Sequence, residues 1–469
     1  MATTDPATAE RAGTAGLGAL LAVVCAAQFM VVLDVSVVNV ALPSIRDGLG
    51  FTATGLQWVV NAYALTFAGL LLLGGRLADL FGRRRVFLAG LGVFTAASLA
   101  GGLATSAGVL VVARVAQGVG AAVLAPATLT ILTTSAGAGP RRTRALAAWT
   151  AVGLAGGTAG NLLGGVLTEF LSWRSTLLIN VPVGVLAAAA ALRVLPRDRL
   201  RDNGGRVDVT GAVLATAGLG VLAFGVAQAA AAGWSAPWTL GGIGVGLALL
   251  AGFAVVETRV PVPLIPLRLL RIRSVGVGNA MLLLAGACLN PMWYFLTLGM
   301  QNVLGYTPLQ TGLAFLPHTL VTILVATQAT PWLMRHLDTR LVIAAGSLLA
   351  AAGFWWQSRL DPGTGYVSGI LCPAVAFSVG SGMLNTPVTT AVTSGVDPGE
   401  AGAAAGLMNT TKQIGGGLGL AALVTLAAPT DSGIAATAHA YGHAFVAMAA
   451  AMLAVTALAW LLPAHRDRA

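Results

Sequence analysis

The sequence predicts an all-α, polytopic membrane protein, and three observations predict it. Of its 469 residues, 57% are hydrophobic and only 9% are charged, against roughly 25% charged in an average soluble domain. Apolar stretches of about 20 residues, the length of a bilayer-spanning helix, recur along the whole chain. The basic residues gather in alternate gaps between those stretches. So little charge cannot keep a globule of this size in water, which excludes a cytosolic enzyme, a nucleic-acid binder and a secreted module. The net charge of +10 sits in short arginine runs between apolar blocks. That is the placement that orients a membrane protein, so no nucleic-acid partner is expected.

The apolar blocks lie near 16–40, 54–74, 86–106, 108–134, 143–168, 175–195, 208–231, 238–257, 275–301, 308–331, 341–358, 366–391, 401–428 and 441–462. These are fourteen spans, all helical, because lipid excludes unsatisfied backbone and no period-2 barrel alternation is present. With the N-terminus inside, 21 of the 26 basic residues fall in inner loops and termini. Only Arg46, Arg174 and Arg359 fall outside, and Arg114 and Lys412 lie within spans. Both termini are therefore expected in the cytoplasm, with the protein multi-pass in the plasma membrane. Residues 1–15 are polar and mixed in charge, and the apolar stretch after them exceeds the roughly 7–15 residues of a signal-peptide core. That stretch is expected to stay as the first span.

Polar breaks at 193–208 and 258–274 divide the chain. Residues 1–200 form a six-helix bundle, 201–262 two extra spans, and 263–469 a second six-helix bundle. GGRLADLFGRRRVFLAG (74–90) aligns without gaps to TPWLMRHLDTRLVIAAG (330–346), a faint repeat of the kind that transporters with internal repeats carry.

No cofactor or metal is expected. Cys25, Cys288 and Cys372 are far apart in apolar stretches and the five histidines are scattered, which matches no disulfide framework or ligand spacing. Lys412, the only lysine, follows Thr411 and precedes Gln413, so the chain has no Gly-Lys-Ser/Thr phosphate loop. Uphill transport must then draw on an ion gradient, with protons as the coupling ion. A retinal Schiff base at this lysine is disfavoured by the span count and by the lack of a nearby counter-ion.

Each ionisable residue at a span centre costs roughly 2.5–3.5 kcal/mol and marks a function. Asp34, in VVLDVSVVNVALP, is the candidate that loads and releases a proton as its surroundings alternate, or else a structural hydrogen-bonding group. Arg114, with Gln117 one turn on, needs a carboxylate, carbonyls or water, and Asp34 is its obvious partner. A purely structural helix lock is the alternative. Lys412 is flanked by Asn409 and Gln413 on one helical face (NTTKQ), and either lines a cavity or caps a neighbouring helix end. His318 reads as a packing histidine. Gln57, Trp58 and Asn61, and Asn290, Trp293 and Tyr294, form polar-aromatic faces that suit an amphipathic ligand, although aromatics in spans often pack or sit at interfaces. Asn161 and Asn385 complete the candidate cavity. Glycines recur at four-residue spacing in 152–165 and 406–419, which allows close helix approach.

These stretches resemble the major facilitator superfamily, in particular its fourteen-span drug:proton antiporter branch, over nearly the whole chain. GRLADLFGRRR (75–85) matches the loop between spans two and three, and RVAQGVGAA (114–122) matches the span-four motif. LDVSVVNVALP (33–43), WRSTLLINVPVG (173–184), PLIPLRLLRIRS (263–274) and GLMNTTKQIGGGLGLA (406–421) resemble motifs of the branch. The resemblance implies a major facilitator fold and export of amphipathic drugs or self-made antibiotics in exchange for protons. It assigns coupling to Asp34, proton relay to Arg114, and a cytoplasmic latch to Gly75, Asp79, Gly82 and Arg83. One departure stands out: the span-five motif, usually Gly-Pro-x-x-Gly-Gly, is GNLLGG here, with Asn161 at the proline position. Strict proton antiport is thereby less assured.

The expected activity is proton-driven efflux of a hydrophobic or cationic small molecule by alternating access, by a monomer in membrane lipid. Alanine-rich, lysine-poor usage, typical of GC-rich genomes that often encode antibiotics, keeps open a dedicated exporter of one metabolite. A non-transporting membrane sensor is the rival of another class, and the latch argues against it. An enzyme is the weakest reading, since no acid–base or nucleophile constellation appears near a span end.

Overall fold

The computed structural model describes residues 6–135, 140–195, 208–260, 263–264, 267–393, 396–397, 400–428 and 433–463. It is all-helical. The long segments are α1 (Pro6–Leu49), α2 (Gln57–Phe81), α3 (Arg83–Gly102), α4 (Ala107–Ser135), α5 (Pro140–Phe170) and α6 (Ser175–Val194, interrupted at Ile179). They continue as α7 (Val209–Ala232), α8 (Pro237–Arg259), α9 (Arg273–Val303), α10 (Pro308–His336) and α11 (Thr339–Gln357). The last three are α12 (Val367–Thr393), α13 (Ala401–Leu426) and α14 (Ile434–Ala459). Twelve of the helices are long and apolar enough to cross a membrane. The other two, α2 and α13, run 25 and 26 residues beside them. They carry Asn61 and Arg76, and Asn409, Lys412 and Gln413.

Small residues set the packing, and they set it twice. A Cβ on Gly160 would come 2.8 Å from Leu33 O, and one on Gly164 2.8 Å from Val37 O, so α5 lies directly on α1. In the second half a Cβ on Gly419 would come 2.5 Å from the Ala287 Cα, and Gly286 faces the Lys412 carbonyl as closely, so α13 lies on α9 in the same way. Only glycine allows backbones this near. Three helices include a π-helical turn: Val325–Ala329 in α10, Val367–Leu371 in α12 and Gly299–Val303 in α9. The first two precede Pro331 and Pro373, whose missing N–H disturbs the helical ladder.

The pair α7–α8 is an antiparallel hairpin whose crossing is set by Gly225, Gly242 and Gly246; a Cβ on Gly225 would sit 2.5 Å from Ile243 N. Its α7 face packs against α2 through Leu65 and Leu219, and against α13 through Ala421. The Thr425 hydroxyl donates to Val226 O at 3.0 Å. The hairpin thus closes one lateral gap between the two halves. The proposed boundary at 200/201 and the arginines at 197, 199, 201 and 206 lie outside the described residues.

At one end the halves meet. A Cβ on Gly165 would lie 2.7 Å from Pro308 O, and one on Gly312 2.5 Å from Asn161 O. Leu309 N–H donates to Glu169 Oε2 at 2.9 Å, and Gln301 Nε2 to Val40 O at 2.9 Å. At the other, arginine-rich end the halves part around a cavity of about 1000 Å³ whose mouth includes Gly75, Arg76, Thr130, Asp208 and Leu264.

Candidate functional site

The charged centre of the first half is assembled from five helices. Asp34 on α1 is fully buried, and Arg114 on α4 is 2% exposed. Arg114 Nη1 donates to Asp34 Oδ2 at 2.6 Å and to Gln117 Oε1 at 2.8 Å, while its Nε donates to Val59 O at 2.8 Å. The second carboxylate oxygen accepts from Gln117 Nε2 at 3.0 Å and from Asn180 Nδ2, on α6, at 2.8 Å. Ser98 on α3 accepts from Gln117 Nε2 at 2.7 Å. The guanidinium carbon lies 4.5 Å above the ring of Tyr63, on α2. Every partner of Asp34 is a donor, the pattern of a carboxylate rather than a carboxylic acid. A buried ion pair holds only when its remaining hydrogen-bonding capacity is met in this way.

Sequence reasoning paired Asp34 with Arg114 and Gln117, but missed Tyr63, Ser98 and Asn180. Asn180 was within reach, since it falls in the quoted stretch WRSTLLINVPVG. Ser98 and Tyr63 carry no local pattern, because their role depends on which helices meet. Arg114 and Tyr63 line the large cavity, whereas Asp34 stands behind them and does not. In this conformation the carboxylate is one residue away from the cavity.

The cavity wall holds Asn61 and Arg114 from the first half and Asn290, Trp293, Asn409 and Gln413 from the second. Asn290 Nδ2 donates to Gln413 Oε1 at 3.3 Å, and Asn61 Oδ1 is buried without a partner among the described residues. Trp293 turns its edge to His318, ring centroids 4.8 Å apart, and His318 in turn bonds Ser378. Gln28, Asn39, Arg76 and Asp208 also line the cavity, and sequence reasoning named none of them as part of it.

Seven cavity candidates stand elsewhere: Gln117 belongs to the charged centre, and the other six are dispersed. Gln57, fully buried at the start of α2, donates to Thr54 O at 2.9 Å. Trp58 packs against Phe224 of the hairpin, ring centroids 6.4 Å apart. Tyr294 is buried in the core of the second half, edge-on to Phe295. Asn161 sits in the closed seam, 2% exposed, with Oδ1 unpartnered. Asn385 and Lys412 line a separate, small cavity within the second half. Helical geometry explains the split on α13: Asn409 and Gln413 are one turn apart and face the large cavity, while Lys412 is rotated by about 100° from Gln413.

Of the loop residues, Gly82 has φ +93°, a conformation that favours glycine, and it alone separates α2 from α3. Gly75 lines the cavity mouth. Arg83 makes no hydrogen bond or ion pair among the described residues, and the side chain of Asp79 lies outside them. No group of three or more His, Cys, Asp or Glu able to hold a metal occurs among the described residues.

A large cavity lined from both parts of an all-helical chain, most of whose helices are long and apolar enough to cross a membrane, is the arrangement of a membrane transporter. The family model of the Major Facilitator Superfamily matches residues 24–420. The chain is 56% identical over 447 residues to the cephamycin export protein CmcT of Amycolatopsis lactamdurans, covering 95% of this chain and 92% of that protein. It is 39% identical over 463 residues to the puromycin resistance protein pur8 of Streptomyces alboniger, covering 96% and 92%. Among solved structures, the nucleoside transporter NupG superposes with a TM-score of 0.69 at 14% identity, covering 95% of this chain and all of that one. The POT family transporter PepTSo does so with 0.68 at 13%, covering 94% and 98%. The chain belongs to the major facilitator superfamily, and the two relatives named are an antibiotic export protein and an antibiotic resistance protein.

Proposed function

We propose that this protein exports an antibiotic across the cell membrane in exchange for protons, by alternating access between its two halves. In this reading all fourteen helices cross the bilayer and both termini face the cytoplasm. The arginine-rich open end is then cytoplasmic, and the structure is the state that loads substrate from inside. The observation that carries the reading is the buried Asp34–Arg114 pair, whose arginine lines a cavity of about 1000 Å³ walled by both halves. A protonated Asp34 loses its hold on Arg114, which frees the guanidinium to move at the cavity wall. Substrate and proton thereby compete through one side chain, and that differential contact is what shifts an access equilibrium.

A second reading, a dedicated exporter of one scaffold, draws on the 56% identity to a cephamycin export protein. Proteoliposomes with an imposed pH gradient test both. A cephamycin and puromycin are offered as separate probes. Gradient-driven movement of the cephamycin alone supports the dedicated reading, and movement of both supports the broad one. Movement that is indifferent to the gradient contradicts proton exchange.

A further inference from the structure

The large cavity does not use the one basic residue that the sequence places within a span of the second half. Lys412, on α13, points into a chamber of about 20 Å³ inside the second six-helix bundle. A volume of that size holds about one water molecule. From α9 the chamber receives Met281, Leu282, Ala285 and Leu289, and from α14 Val455; none of these titrates. From α12 come Leu384 and Val388 with two neutral polar groups, Ser381 and Asn385. On α13 itself, the neighbouring polar groups Asn409 and Gln413 face the other cavity and are also neutral. Lys412 has no hydrogen bond or ion pair among the described residues. The cationic centre of the first half is neutralised by a carboxylate at 2.6 Å. The chamber around Lys412 offers no carboxylate at all.

We infer that Lys412 is a second proton-exchanging group, which gives up its proton to a chamber water and takes one back as the second half changes conformation. An uncompensated ammonium among apolar walls costs several kcal/mol. Arginine has no way out of that cost, because it keeps its proton under all physiological conditions, whereas a lysine amine does not. The step balances simply: the ammonium becomes a neutral amine, the water carries the proton to the aqueous side, and no oxidant or co-reactant is involved. Asn385 and Ser381 are the groups able to hold that water against the amine, since a buried water needs 2–4 polar partners. The position favours coupling to movement, because the Lys412 carbonyl lies in the tight α9–α13 contact at Gly286. A shift of α13 along α9 therefore changes the chamber.

The inference rests on the proton exchange proposed above, but it is tested without substrate. Lys412 is the only lysine of the chain, so the full-length protein labelled with [13Cε]lysine in nanodiscs gives a single lysine signal. That signal is expected to move reversibly between its ammonium and amine positions within the pH range over which the protein transports. A signal fixed at the ammonium position throughout overturns the inference. Lys412→Arg, which keeps charge but cannot exchange, should lower gradient-driven export at least about tenfold, and export at the wild-type rate overturns the inference as well. If Lys412→Arg does not fold, the signal of the unmodified chain decides alone. Failure of proton exchange as a whole shows instead as gradient-indifferent export by the unmodified protein.

Discussion

The two halves of the molecule share their helix packing and differ in how they treat a cation within a span. In the first, Arg114 is held by Asp34, Gln117 and a backbone carbonyl, and Tyr63 lies beneath it. In the second, Lys412 faces two neutral polar groups and a ring of aliphatic side chains. The glycine contacts of α1 with α5 and of α9 with α13 show that the backbone tolerates both solutions on one plan. The difference teaches that the repeat sets helix placement while single side chains set charge. In the proposed function the saturated pair is a lock that one proton opens, whereas the lysine has no partner to hold among the described residues.

The sharpest way to break this comparison is to remove one partner of the pair. Arg114→Gln leaves Asp34 buried without its cation and should cost about 3–5 kcal/mol of stability, read as a lowered thermal midpoint in detergent. Adding Asp34→Asn should recover most of that loss, since no unpaired charge then remains. If the double variant is as unstable as the single one, the network is not organised around the charge pair. Next in size is Asn180→Ala, which removes one neutral donor to the carboxylate and should cost about 1–3 kcal/mol, measured the same way. A smaller effect is expected at the closed seam. Gly312→Ala places a methyl 2.5 Å from Asn161 O, so it should pry the seam apart and raise the labelling of a cysteine placed at Asn61 from the seam side. Glu169→Gln weakens an exposed contact to Leu309 N–H and should shift the same labelling by no more than roughly two- to five-fold. Labelling unaffected by either change would mean that this seam is not the gate.

Much of the fold was legible because lipid simplifies the code: an apolar block of about 20 residues becomes a helix. The block near 16–40 extends to Leu49 in the structure, since polar residues at a helix end do not stop it. The Asp34–Arg114 pairing was legible because few charges occur inside spans and each must find a partner. Asn180 and Ser98 were not, because an ordinary Asn or Ser in a span gains meaning only from the helices around it. The face of Lys412 was misplaced for a simpler reason. Residues 409, 412 and 413 look adjacent in sequence, yet α13 is a wall between two cavities and shows a different face to each.

The most direct test of the central claim is proton release on substrate binding by the purified protein in weakly buffered detergent solution. If Asp34 and the substrate compete through Arg114, adding a transported antibiotic should change the number of bound protons, and Asp34→Asn should abolish most of that change. A substrate-evoked proton change of full size in Asp34→Asn would contradict the account.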